Sequence, residues 1–314
     1  MELTAKKVKQ KEPFKIRFKK EWDKHKYLYI LSIPVLLYFI LFKYLPMFGI
    51  AISFENYSVA KGVFGSEWVG LKYFKEFFGS EFFLRTFLNT LYISVLDIVF
   101  GFPLPIIFAL CLNEIRNKKF KKLVQTSSYL PHFISMVVVC GMISDFFSTG
   151  GLISTIISKL GGSDMNYIGE SRFFRAIFVG TGIWQEFGWS SIIYLAALSG
   201  IDSGLYEAAV IDGAGRWKQT IHVTLPGIAS TIIILFIMRL GSIVSVGYEK
   251  IILLYTPQTY DVADVISSYT YRMGILNSRY GYSSAVGLFQ SVINIIILVT
   301  ANQISKRFSE TSLF

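Results

Sequence analysis

Among the polar side chains inside otherwise apolar stretches, seven of those able to carry charge or to exchange several hydrogen bonds stand out: Asp97, Asp145, Gln185, Glu186, Arg239, Gln290 and Asn294. Charged groups at membrane depth are costly, so they face protein or water. Each has two readings: a bond that joins two helices, or a contact for a polar solute. Asp145 falls near the end of its stretch, where a carboxylate is least costly. Arg239 lies about midway along its own, too deep to reach the interface comfortably. It either pairs with Asp97 or Glu186, or it meets an acidic sugar, because a guanidinium matches a carboxylate fork.

Trp184, Gln185, Trp189 and Tyr194 have the composition of sites that bury a flat sugar face, aromatic rings beside amide and hydroxyl groups. Gln185 and Trp189 are four apart and share a helix face, whereas Trp184 and Tyr194 are ten apart and do not. The plainer reading makes the tryptophans packing or lipid-facing residues. No catalytic constellation assembles. His25, His132 and His222 are scattered, and His222 reads as an exposed or contact residue. There is no Gly-x-x-x-x-Gly-Lys, no His-Glu-x-x-His and no Gly-x-Ser-x-Gly. A non-enzyme is expected, with no metal and no cofactor of its own. Cys111 and Cys140 both fall in apolar stretches, so a structural disulfide is not expected.

The elements that must position these groups are membrane spans. Apolar residues make up 53% of the 314-residue chain and mean hydropathy is +0.49. Several runs reach the roughly 20 residues that cross a bilayer. The reading is an all-α polytopic membrane protein with six transmembrane helices, at about 27–54, 87–112, 123–147, 173–198, 227–247 and 283–304. Pro34 and Pro46 lie near the ends of the first, Pro103 and Pro105 lie inside the second, and Pro131 breaks the third. Short helices are expected at 71–78, 152–160 and 262–271. Residues 1–26 form a basic segment, read either as a solvated tail or as an interfacial helix near 14–24 that meets anionic lipid. No cleavable signal peptide is expected, because the first apolar run is long enough to remain as a span.

The net charge of +10 could suggest nucleic acid. Its distribution argues for a membrane instead. With the N-terminus inside, segments 1–26, 113–122, 199–226 and 305–314 hold 19 Lys and Arg, against 9 in the longer outer segments. That asymmetry predicts both termini in the cytoplasm. It also places the polar connection 199–226 there.

That connection is longer than a turn between spans requires. Asp202 and Ser203 can cap a helix. Glu207, Ala208, Ala209, Val210 and Ile211 favour one, and Gly213 and Gly215 can end it. Residues 216–223 make a second short piece, and Pro226 suits the first turn of the next helix. The segment resembles the EAA loop of membrane subunits of ATP-driven, binding-protein-dependent bacterial importers: Glu-Ala-Ala, three residues, Gly, nine residues, then Ile-x-Leu-Pro. Here the pattern is Glu207, Ala208, Ala209, Gly213, Val223, Leu225 and Pro226. Val223 replaces the usual Ile, and Thr220 stands where carbohydrate members often carry Phe.

The resemblance extends through 109–115 (ALCLNEI), 129–135 (YLPHFIS) and 188–197 (GWSSIIYLAA). It points to the sugar-importer branch, close to permeases for polysaccharide fragments. It implies the transmembrane-domain fold of a type I ABC importer in a bacterial cytoplasmic membrane. It also implies a second, similar permease subunit, a dimeric ATPase holding ATP and Mg, and an external solute-binding protein. Glu207, Ala208, Ala209, Asp212, Gly213, Ala214, Arg216, Leu225 and Pro226 would then contact the ATPase. Trp184, Gln185, Glu186, Trp189, Arg239, Gln290 and Asn294 are the candidates for the solute path. The expected cargo is an oligosaccharide, with uronic-acid-containing fragments as one candidate. A non-sugar solute, an ion-coupled secondary transporter and a membrane enzyme are the competing readings. No internal repeat supports the transporter, and no convergent nucleophile, base or metal set supports the enzyme.

Overall fold

The computed structural model describes residues 14–308 and 313, with side chains for 22–307 and 313. The amphipathic face expected near 14–24 lies largely outside the described side chains, although the backbone there is helical. The chain divides after Ala51 into two units. The described part of the first is one nearly continuous helical rod. Phe14–Phe39 continues through a π-helical turn, Ile40–Tyr44, into a 3-10 segment, Leu45–Phe54, that runs on into the second unit. Its apolar side chains from Tyr27 to Phe48 are exposed around the whole circumference, as on a helix that lies in lipid.

The second unit begins with a two-residue antiparallel strand pair, Glu55–Asn56 with Glu67–Trp68, too short to leave a period-2 pattern. Lys72–Phe78 follows. The next helix is broken: Glu81–Leu96, a π-helical turn at Asp97–Gly101, then Pro103–Glu114. Pro103 and Pro105 lack the N–H groups that a regular continuation requires. Lys118–Tyr129 ends in the 3-10 turn Leu130–Phe133 at Pro131, and Met136–Phe147 resumes. Leu152–Lys159 is the expected short helix. Ser171–Ser199 is unbroken over 29 residues, or about 43 Å at 1.5 Å per residue.

Among the described residues, four helical stretches are long and apolar enough to cross a membrane: Trp22–Phe54, Glu81–Glu114, Met136–Lys159 and Tyr280–Arg307. A fifth is the pair Arg216–Gly227 and Ala229–Leu240, bent by 60°. The third candidate starts after the break at Pro131, which the reading 123–147 straddles. The Ser171–Ser199 helix has the length, but polar residues such as Gln185 and Glu186 dilute its apolar character.

Two clusters fasten one end of this unit. Phe77, Tyr269, Tyr282, Ala285 and Val286 are buried together, with Phe77 edge-on to Phe83 and Phe289. Beside them Asp264 is fully buried and takes both guanidinium nitrogens of Arg272, at 2.6 and 3.1 Å. Asn89 donates to the carbonyls of Asp261 and Asp264 at 3.0 Å and accepts from Arg175 at 2.7 Å. The large majority of buried polar groups are paired. This network ties the 257–272 connection to Glu81–Leu96 and Ser171–Ser199. The other end of Ser171–Ser199 packs on Pro103–Glu114 through Ala109, Tyr194, Leu198 and Ile228 and leads into the 203–227 connection.

One further break matters for the site. Ala229–Leu240 stops at Gly241, and residues 241–247 turn without a regular ladder. Side chains from elsewhere satisfy their backbone. Ser94 donates to the Ile243 carbonyl, Gln290 to Val244 at 2.9 Å and Ser267 to Val246. Asn294 accepts from the Val244 N–H at 3.0 Å. Irregular backbone at membrane depth survives only where protein or a water-filled cavity surrounds it.

Candidate functional site

The breaks at 97–101 and 241–247 and the middle of Ser171–Ser199 enclose a cavity of about 720 Å³. Its polar lining includes Ser94, Asp97, Glu186, Trp189, Arg239 and Lys250. Arg239 forms an ion pair with Asp97 across the cavity wall, rather than with Glu186. Both are partly exposed, so the pair is reachable from the cavity.

Glu186 is used differently. Nδ1 of His132 meets its carboxylate at 3.0 Å. The His132 ring also lies on Trp189, with centroids 4.5 Å apart and planes within 3°. Phe133 meets Trp189 edge-on. The 3-10 turn at Pro131 makes this possible, because it turns His132 and Phe133 toward the Ser171–Ser199 helix. Gly188 permits the close approach: a Cβ there would collide with the Ser128 carbonyl. Small residues at such crossings let helix backbones touch in a membrane.

The other path candidates lie elsewhere. Gln185 is buried, and its amide reaches the Ile134 carbonyl at 3.4 Å. Trp184 is 42% exposed and does not line the cavity. Gln290 and Asn294 hold the 241–247 turn and are not among its lining residues. Asp145 likewise lies off the cavity. Sequence reasoning missed His132 and Lys250. The helix-breaking Pro131 beside His132 was the available signal for the first; Lys250 left none, since it reads as one more cation in a polar connection.

The second candidate site is the 203–227 connection. Asp202 caps Ser203–Ile211 by accepting from the Gly204 N–H at 3.0 Å. Gly213 has φ +74°, the left-handed geometry that ends the helix, and Ala214 N–H returns to the Ala209 carbonyl at 2.8 Å. Arg216–Gln219 and a π-helical turn, Thr220–Thr224, form the second piece. Tyr206 and Thr224 hydroxyls meet at 3.0 Å and hold the two pieces together. Gln219 braces the bend through the Ala214 carbonyl at 2.8 Å. Pro226 sits in the turn Leu225–Gly227, ahead of the bend at Ile228.

Glu207, Ala208, Asp212 and Arg216 are exposed, while Ala209, Ala214 and Leu225 are half-buried. Glu207 makes no hydrogen bond or ion pair among the described residues. Arg216 approaches Glu114 at 3.4 Å. Val210, Ile211 and Trp217 are 62%, 85% and 75% exposed, an apolar surface that suits a protein partner. Cys111 and Cys140 are both free thiols, and no group of three metal-ligating side chains converges among the described residues.

Comparison with known proteins adds an independent line. Residues 101–310 match the family model described as the binding-protein-dependent transport system inner membrane component. The chain is 46% identical to the protein LplB of Bacillus subtilis, over 92% of this chain and 91% of that one. It is 42% identical to the polygalacturonan/rhamnogalacturonan transport system permease protein YteP of the same organism, over 92% and 90%. A bacterial alginate ABC transporter, crystallised in complex with an alginate pentasaccharide-bound periplasmic protein, has a chain 41% identical to this one. It superposes with a TM-score of 0.87, covering 95% of this chain and 100% of that one.

Proposed function

Because this chain belongs to the inner membrane components of binding-protein-dependent transport systems, we propose that it is the permease subunit of an ABC importer for oligosaccharides, including uronic-acid-containing polysaccharide fragments. The observation that carries the cargo is the cavity, whose walls join Trp189, for a sugar face, to charged side chains. The named cargo classes of YteP and of the alginate transporter support the same reading.

The finer organisation is part of this proposal. Ser171–Ser199 counts as a span beside the five apolar candidates, giving six, with both termini in the cytoplasm. The chain pairs with a second permease, and each supplies half of the path. A dimeric ATPase holding ATP and Mg docks on the exposed face of 203–227, with Glu207 meeting a basic residue. ATPase closure moves the two short helices as a unit, because Tyr206–Thr224 and Gln219–Ala214 brace them. The bundle then opens outward to a loaded binding protein and accepts the sugar. No bond is broken in this chain.

The test is ATPase activity of the complex reconstituted in lipid with its binding protein, across neutral and acidic oligosaccharides. Stimulation by an oligosaccharide supports the reading and names the cargo. An intact, ATP-hydrolysing complex that no oligosaccharide stimulates counts against the sugar. Recruitment of no ATPase counts against the coupling role of 203–227, and cation-driven uptake by this chain alone would favour a secondary transporter.

A further inference from the structure

We infer that Lys250 is a binding contact for a uronate carboxylate of the cargo inside the cavity, an inference that rests on the oligosaccharide reading above. Lys250 belongs to the helix Tyr248–Leu254, is 6% exposed and lines the cavity. Its Nζ donates to the Phe178 carbonyl at 2.7 Å and to the Thr181 hydroxyl at 2.9 Å. The Thr181 hydroxyl itself donates to the Ile177 carbonyl at 2.6 Å, so it meets Lys250 as an acceptor. The Phe178 ring lies 4.7 Å from Nζ. At Gly182 a side chain would press on the ammonium, because a Cβ there would stand 3.2 Å from Nζ. The ammonium is therefore held in place by a shaped pocket.

An ammonium has three hydrogens to donate, and the two acceptors that hold this one are both neutral. Asp97 is taken by Arg239, and the Glu186 carboxylate meets Nδ1 of His132. Among the described residues no carboxylate lies within ion-pair distance of Lys250, and Glu186 acts on it only from beyond that distance. A buried charge without a touching counter-ion is costly unless something supplies one. A carboxylate entering the cavity does so, and a charge-assisted bond is about twice as strong as the neutral bond a hydroxyl offers. Arg239 is the weaker candidate for this role, since Asp97 already neutralises its charge. Lys250 has no such contacting partner among the described residues.

The experiment measures uptake of trigalacturonate into liposomes that hold the complete transporter with its binding protein. Wild type, Lys250→Gln and Lys250→Arg are compared. Removing the charge should raise KM about tenfold or more, and Arg should restore most of the loss. A Lys250→Gln transporter equal to wild type overturns the inference, and so do Gln and Arg variants equally impaired, because packing rather than charge then explains the site. Wild type that imports only the carboxyl-reduced trisaccharide overturns the inference alone. Wild type that imports neither of these, nor any oligosaccharide of the neutral and acidic panel above, overturns the oligosaccharide reading and the inference with it.

Discussion

The imidazole of His132 lies flat on the indole of Trp189 while its Nδ1 meets the Glu186 carboxylate at 3.0 Å. One face of the indole is therefore occupied by the protein, and Trp189 remains 40% exposed beside the cavity. The His132 ring fixes the plane against which a sugar can stack.

Trp189→Ala should weaken cargo handling through lost stacking, which is worth about 0.5–1.5 kcal/mol. The expected readout is a KM for oligosaccharide uptake raised roughly 2- to 10-fold. His132→Ala should act in the same direction through the freed indole. Unchanged uptake in both variants would remove the stacking role.

Arg239 and Asp97 neutralise each other, so removing one leaves the other uncompensated. Asp97→Asn and Arg239→Gln should each lower the thermal stability of the purified complex. Because both residues are partly exposed, the loss should be about 1–2 kcal/mol, below the 3–5 typical of a fully buried pair. The double variant should recover part of it. Strictly additive melting shifts would mean that the two residues do not act as a pair.

Gly213 has φ +74°, which proline, fixed near −65°, cannot adopt. Gly213→Pro should permit insertion and assembly yet reduce ATPase stimulation by the loaded binding protein to near its basal level. Glu207→Lys should do the same by reversing a charge at the exposed face. Normal stimulation in both would contradict the lever role of this connection.

Gly188 meets Ser128 where no Cβ fits. Gly188→Val should force apart Lys118–Tyr129 and Ser171–Ser199, at about 1–3 kcal/mol for overpacking. Reduced recovery of folded protein by size-exclusion chromatography is the expected result. Full recovery would show that this crossing yields easily.

The connection 148–165 carries a pH dependence. The N–H of Gly150 at 2.9 Å and the Ser154 hydroxyl at 2.6 Å hold the Asp164 carboxyl below its ordinary value of 3.8. A lowered pKa means the folded loop favours the charged form. That stabilisation is present above pH 3.8 and is lost as pH falls through the lower folded value. Hydrogen-exchange protection near Gly150 should drop in acid, and Asp164→Asn should flatten the change. Equal profiles in wild type and variant would argue against this link.

What could be read from the sequence was local. The cap at Asp202, the left-handed Gly213 and the break at Pro131 each follow from a residue type and its near neighbours. The pairing of Arg239 was narrowed to Asp97 or Glu186, and only the fold chooses between them. His132 and Glu186 are 54 residues apart, and Lys250 lies 72 residues from the carbonyl that holds it. No periodicity links such positions. Gln290 and Asn294 looked like path residues because an amide in an apolar helix signals a partner; their partner is the irregular backbone of 241–247.

That turn has a consequence for how the protein is made. The groups that satisfy Val244 lie on Gln290 and Asn294, 46 and 50 residues further along. While the ribosome is still synthesising those residues, the Val244 amide and carbonyl lack their final partners. One wall of the cavity is therefore completed from the far end of the chain. A nascent protein cut short before Gln290 has neither side chain, and the Val244 amide and carbonyl stay without these partners.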